Sequence, residues 1–159
     1  MRYIPLHGKI GAGKRAIIDD EMYPLLSQRR WVMNGSGYAV TWTRRNGKKT
    51  TLFMHRLIIG AKQGEIVDHR NQMKLNNLRF NLRVCTIIEN AWNCKVSATN
   101  KSGVRGVSWR KTSNKWQVTI SINNHNVGLG HFDDINEAAE AYNKKASEIR
   151  GEFARLNPV

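Results

Sequence analysis

MHRLIIGAKQGEIVDHRNQMKLNNLRFNLRVCTIIENAWN, residues 54–93, holds an Asp-His pair, an Asn-rich loop and a helix start carrying a further Asn. Ile66-Val67-Asp68-His69 reads as the end of one strand, Arg70 to Phe80 as a polar loop, and Leu82-Arg83-Val84-Cys85 as a second strand. Thr86-Ile87-Ile88-Glu89 fits a capping box, with Thr86 as N-cap and Glu89 reaching back, so a helix should begin at Ile87 and carry Asn90 in its first turn. A β-hairpin followed by a helix is a small α+β unit. Such a unit can bring Asp68, His69 and Asn90 around one small cavity.

These residue types suit phosphodiester hydrolysis. Mg²⁺ is a hard cation that takes a few oxygen ligands and keeps waters, so one carboxylate (Asp68) and one amide oxygen (Asn90) leave positions for a substrate phosphate. His69, with an ordinary pKa near 6.5, is the side chain best matched to removing a proton from water near neutral pH. The same residues also occur in purely structural turns, so spacing alone leaves both readings open.

Working outward, the chain has 159 residues, enough for one ordinary domain or two small ones. Lys and Arg number 26 against 12 Asp and Glu, a formal net charge of +14. That imbalance points to nucleic acid, with an anionic membrane as the weaker reading. No run approaches the length of a membrane span, and MRYIPLHGKIG lacks the apolar core of a signal peptide. The expectation is an intracellular protein with no membrane partner, in the host cytoplasm if the chain is phage-encoded. The two cysteines, Cys85 and Cys94, form no CxxC pair. Free thiols are expected, without a four-thiolate zinc site.

Residues 1–53 read as a β-rich lead-in, with short apolar runs such as Ala16-Ile17-Ile18 between turn signals. Asn46-Gly47, between Thr41-Trp42-Thr43 and Thr50-Thr51-Leu52-Phe53, predicts a hairpin. Its tip carries Arg44, Arg45, Lys48 and Lys49, which suit phosphate contact as well as a solvated loop. Gly8 to Lys14 formally fits the GxxxxGK pattern of a phosphate-binding loop. Arg15 stands where Ser or Thr should hold Mg²⁺, and Ala16-Ile17-Ile18 predicts a strand where a helix is needed, so no nucleotide cofactor is expected.

Downstream, residues 95–103 (KVSATNKSG) are small and polar and read as a linker. Three strands are predicted beyond it, at Gly106 to Trp109, Lys115 to Ile122 and Asn126 to Phe132. A helix should start near Asp134 and end at Gly151, its stripe of Ala138, Ala141, Tyr142, Ala146 and Ile149 covering the apolar face of the sheet. Charge divides along the same line: residues 95–131 hold six cations and no acid, whereas 132–159 hold four cations and six acids. The sheet should therefore face nucleic acid and the helix face away.

The central stretch resembles the HNH endonucleases, and in particular the phage homing type with a ββα-metal fold. His55-Arg56, Val67-Asp68-His69, Asn76-Asn77, Asn81-Leu82-Arg83 and Glu89-Asn90 occur in the order and spacing of that family. The resemblance implies that Asp68 and Asn90 ligate one divalent metal per active site and that His69 is the general base. It further implies that Asn81 pins the hairpin loop through backbone hydrogen bonds and that His55 is structural within the active site. Many members use histidine ligands on the helix or zinc-binding cysteine pairs. This chain has Asn90 and no such pairs, which favours Mg²⁺ or Mn²⁺ over zinc. Cys94, four residues after Asn90, lies on the same helix face, but a thiolate is a poor partner for Mg²⁺.

The C-terminal half resembles the AP2/ERF DNA-binding domain, through Val104-Arg105-Gly106-Val107, Lys115-Trp116, Leu129-Gly130-His131-Phe132, Glu137 to Tyr142 and Leu156-Asn157. That resemblance implies a three-stranded antiparallel sheet packed on one helix and laid in the major groove. Arg105, Arg110, Lys115 and Trp109 stand at or near its DNA-contacting positions. Ser121 stands where that family often has Arg, so no target sequence carries over.

The expectation is thus an α+β protein: an HNH nuclease domain over 1–94 that includes the β-rich N-terminal region, a linker over 95–103, and an AP2-like domain over 104–159. It would act as a metal-dependent, site-preferring, homing-type endonuclease on double-stranded DNA, nicking it or cutting both strands and contacting it also through Arg70; the sequence leaves the oligomeric state open, with a monomer slightly favoured. The competing readings are a catalytically inactive DNA-binding regulator and a structural RNA-binding protein.

Overall fold

The computed structural model describes residues 1–159 apart from the side chain of Arg45, so the expectation for that side chain lies outside the described residues. The fold is mixed α and β, with four small sheets and four α-helices. It divides into two compact units, Met1–Ile87 and Ile88–Val159.

The first unit begins with an antiparallel pair, β1 (Arg2–Pro5) and β2 (Arg15–Ile18). The Gly-rich segment resembling a phosphate loop is simply their connection, and a strand follows it as predicted. After α1 (Tyr23–Ser27) come β3 (Val32–Met33), β4 (Ala39–Arg45) and β5 (Lys48–Phe53), an antiparallel sheet in that order. Arg45 pairs with Lys48 across the turn, and Asn46 and Gly47 both have positive φ, 50° and 75°. That is the two-residue primed turn expected of Asn-Gly, because its twist matches that of the strands.

Two helices here were not predicted. α1 has Pro24 in its first turn, and α2 (Met54–Ile59) stops at Gly60, whose φ of 68° suits a left-handed C-cap. Each spans under two turns, too short for a 3.6-residue apolar period to stand out. Then β6 (Ile66–His69) and β7 (Leu82–Cys85) form an antiparallel hairpin with the bounds the sequence predicts. The core under these elements includes Ile4, Ile18, Leu26, Trp31, Met54 and Ile58. Trp31 is fully buried, its indole N–H donating to the Leu26 carbonyl at 2.8 Å, so the one polar atom of a large apolar side chain is satisfied.

α3 (Ile87–Trp92) starts where the capping box places it, and five of its six residues fall in the second unit. Within that unit β8 (Val107–Arg110), β9 (Lys115–Ile122) and β10 (His125–Phe132) form an antiparallel sheet with β9 in the centre. α4 (Ile135–Arg150) packs on it, and Asp134 caps the helix by accepting from the amides of Asn136 and Glu137. Val118 and Ile120 of β9 are buried against Ala138, Tyr142 and Ala146. Gly106 has φ +73°, and a Cβ there would lie 2.3 Å from the Tyr142 ring, so helix and sheet approach over a position that only glycine fits.

Part of the segment read as a linker is a folded turn. Asn100 Oδ1 accepts from the Ser102 and Gly103 amides, and the Ser102 hydroxyl donates its one proton to the Val107 carbonyl at 2.7 Å. Small polar residues look flexible in a sequence, yet Asn and Ser side chains fix their own backbone this way.

Candidate active site

The β6–β7 hairpin sets the site because its register places Asp68 opposite Arg83 and His69 opposite Leu82. Arg83 Nε and Nη2 both donate to Asp68 Oδ2, at 3.0 and 2.8 Å, with both side chains buried. The carboxylate that the sequence offers as a metal ligand is therefore held in an ion pair. Arg83 stood in the sequence as the last residue of the Asn-Leu-Arg motif, but nothing there signalled its partner.

His69 is 4 % exposed. Its Nε2–H donates to Asn77 Oδ1 at 3.3 Å, since an amide oxygen can only accept. That tautomer makes Nδ1 the basic nitrogen. Burial pushes the His69 pKa below its ordinary value, the Asn77 bond and the Asp68 charge oppose the shift, and Lys74 adds to it. The imidazole is thus neutral near pH 7, the state a general base requires.

Asn77 is itself completely buried, and its position is set by β2. The Ile17 amide donates to the Leu75 carbonyl and the Asn77 amide to the Ile17 carbonyl, each at 2.8 Å. The N-terminal strand pair thereby fixes the loop from which Asn77 reaches His69, a role that sequence reading missed. Asn81 ties the same loop from the other end. Its Oδ1 accepts from the Asn71 amide at 3.1 Å, and its Nδ2 donates to the Asn76 carbonyl at 2.7 Å.

His55, on α2, lies beside His69 with ring centroids 5.1 Å apart, and Tyr38 and Phe53 complete the ring cluster. Burial first, then the His69 and Arg56 charges, lower the His55 pKa to about 3. Its buried Nδ1 has no hydrogen-bond partner among the described residues. It is a neutral, packed ring. The neighbouring Arg56 donates to the carbonyls of Lys62 and Glu65, fixing the turn that leads into β6. Lys74 lies 4.7 Å over the Tyr38 ring and donates to the Ser36 carbonyl.

The remaining predicted residues are spread over both units. Asn90 is half-buried on α3, in the second unit, so the first unit by itself brings together Asp68, His69, Asn81 and His55. Arg44, Lys48 and Lys49 are exposed on the β4–β5 hairpin, with Lys49 Nζ 4.6 Å over the exposed Trp42 ring. Arg70 is exposed beside the site, and its amide donates to the Asn81 carbonyl. In the second unit Arg105 is half-buried and donates to the Cys94 carbonyl, while Trp109 and Arg110 are exposed. Lys115 is paired with Asp133 at 2.7 Å. Cys85 and Cys94 are both free thiols.

No family model matches the chain. It is, however, 33% identical over 160 aligned positions to a protein of Acanthamoeba polyphaga mimivirus named as an uncharacterized HNH endonuclease, spanning 99% of this chain and 81% of that relative. The chain belongs to the HNH endonuclease family. It is also 32% identical over 94 residues to protein 3.8 of Escherichia phage T7, covering 59% of this chain and 77% of that one. HNH nucleases generally use a divalent metal. Among the described residues no three His, Cys, Asp or Glu side chains gather for a metal ion. As chemical types, the carboxylate and amide oxygen expected from the sequence suit a hard cation that keeps several waters better than a closed cage. Among the described residues no helix is long and apolar enough to cross a membrane.

Proposed function

We propose that this HNH protein is a metal-dependent endonuclease that hydrolyses double-stranded DNA with site preference, in the manner of the homing type. The observation that carries the reading is His69: a buried, neutral imidazole beside a carboxylate, oriented by Asn77 on a loop pinned at both ends. A side chain held in that way serves proton transfer better than it serves stability, because burying an imidazole costs free energy.

In the proposed mechanism His69 takes the proton from the water that attacks phosphorus, and Asn77 keeps the ring in the tautomer whose Nδ1 accepts it. Asp68 and Asn90 would hold one Mg²⁺ or Mn²⁺, which when bound supplies positive charge against the phosphate and the 3′ leaving oxygen. Arg83 holds the Asp68 carboxylate in place. The products would be a 5′-phosphate and a 3′-hydroxyl. The second unit would act as an AP2-like targeting module, a reading supported by its sheet of three strands under one helix and by the exposed Trp109 and Arg110. Arg44, Lys48 and Lys49 would hold flanking phosphates.

Plasmid DNA incubated with Mg²⁺, Mn²⁺ or chelator tests the reading directly. Cutting that needs the metal and vanishes in His69→Ala, with DNA binding retained, is expected; full activity in that variant sinks it. The ion pair between Asp68 and Arg83 favours a second reading, a nuclease-like DNA-binding regulator without activity. Failure of the wild-type protein to cut with either metal, while still binding DNA, would select it.

A further inference from the structure

Arg150 is 8 % exposed at the end of α4, and among the described residues no carboxylate pairs with it. Its Nη1 donates to the Tyr142 hydroxyl at 2.9 Å and its Nη2 to the Ser121 carbonyl at 3.3 Å, while its Nε is buried without a partner. Burying a cation without a counter-ion is costly. What faces the guanidinium instead is aromatic: its Cζ lies 5.2 Å from the Trp92 ring centre and 5.9 Å from that of Tyr142. Trp92 is the last residue of α3. A second tie lies just beyond, where Arg105 Nη2 donates to the Cys94 carbonyl.

α3 has only six residues, too few to be stable as an isolated helix, so its order comes from what it is docked on. Both ties come from the body of the second unit. Asn90 lies two positions before Trp92 on the same helix, and residues two apart point in roughly opposite directions around a helix axis. Fixing the Trp92 side of α3 therefore fixes the direction of Asn90.

We propose that Arg150 is a positioning residue for Asn90, acting through Trp92 within the second unit. The positioning role rests on the reading of Asn90 as a metal ligand. A truncation near residue 95 removes Arg105 and Arg150, and with them both of these ties to α3 and its C-terminal turn.

The test uses the full chain and Mn²⁺ as the probe, with free Mn²⁺ followed by electron paramagnetic resonance and amide exchange followed over residues 88–94. Arg150→Met and Trp92→Leu should each weaken Mn²⁺ binding about 10-fold and speed exchange in that segment, while Trp92→Phe, which keeps a ring face, stays near wild type. Asn90→Ala should weaken Mn²⁺ binding with exchange unchanged. Trp92→Leu leaves the sheet-helix core intact and covers the case in which Arg150→Met fails to fold. Wild-type exchange at 88–94 in the folded variants overturns the clamp. Faster exchange with unchanged Mn²⁺ affinity, in a background where Asn90→Ala does weaken it, overturns the positioning role. Wild-type Mn²⁺ affinity in Asn90→Ala overturns the ligand reading and with it the positioning role, and the exchange rates still decide the clamp.

Discussion

Arg83 holds the carboxylate of its cross-strand partner Asp68 through one oxygen, Nε and Nη2 lying 3.0 and 2.8 Å from Oδ2. Both side chains are buried, so removing the arginine takes away the cation that faces the Asp68 carboxylate across the hairpin. Arg83→Met should destabilise the protein by about 3–5 kcal/mol, read as a shift of the urea midpoint. Adding Asp68→Asn should recover much of that loss, because the carboxylate charge is then gone. A single-variant loss below about 1 kcal/mol would show that the pair is not buried in solution.

The two imidazoles make stability depend on pH. An unfolded histidine protonates near pH 6.5, whereas folded His55 stays neutral down to about 3, so the unfolded chain binds more protons across that window. Stability is fully present above pH 6.5 and falls as the pH drops, at about 1.4 kcal/mol per pH unit for this one group. His69 shifts in the same direction and adds to the slope. Thermal melts at pH 7 and pH 5 should differ clearly, and His55→Phe, which fills the same ring cluster without a titrating group, should flatten the difference. Equal slopes in wild type and variant would remove His55 as the cause.

Asn77 should matter to chemistry more than to binding. It touches His69 and lies under the surface, so Asn77→Ala removes the bond that orients the imidazole from this loop. Under single turnover with saturating DNA the cleavage rate should fall about 10- to 100-fold, while DNA affinity stays within about twofold. Equal losses in both would instead indicate general damage to the loop.

How far this was legible in the sequence depends on the range over which each signal acts. The Asn46-Gly47 turn, the β6 and β7 bounds, the start of α3 and the Asp134 cap are local codes, in which a residue fixes its own φ or its neighbour's amide, and the sequence predicts all of them. The link from Ile17 to Asn77 joins residues 60 apart through backbone atoms, which carry no residue identity. Nothing in the letters marks it. Arg150 is a similar case: by charge it belongs on the exposed side of α4, and its burial rests on Tyr142, the Ser121 carbonyl and the ring of Trp92 on another helix. The ion pair of Asp68 and Arg83 becomes readable once the hairpin register is known, since the two are then direct neighbours.

The β4–β5 hairpin provides a test of DNA contact separate from catalysis. Arg44, Lys48 and Lys49 are exposed on a two-stranded ribbon, and Lys49 stands over the exposed ring of Trp42. Exposed cations contribute little to folding, so replacing all three by alanine should change stability by only about 0.5 kcal/mol per site or less. If they lie on phosphates, each lost contact should reduce the slope of log affinity against log salt by about 0.9. Titrations at several salt concentrations separate this from a loss of base recognition, which would weaken binding to the preferred site with the slope unchanged. Trp42→Ala should behave differently from the lysines. It removes a ring face and no charge, so it should lower affinity at every salt concentration and leave the slope intact, and a slope that moved with Trp42 would mean that the ring acts by holding Lys49 in place.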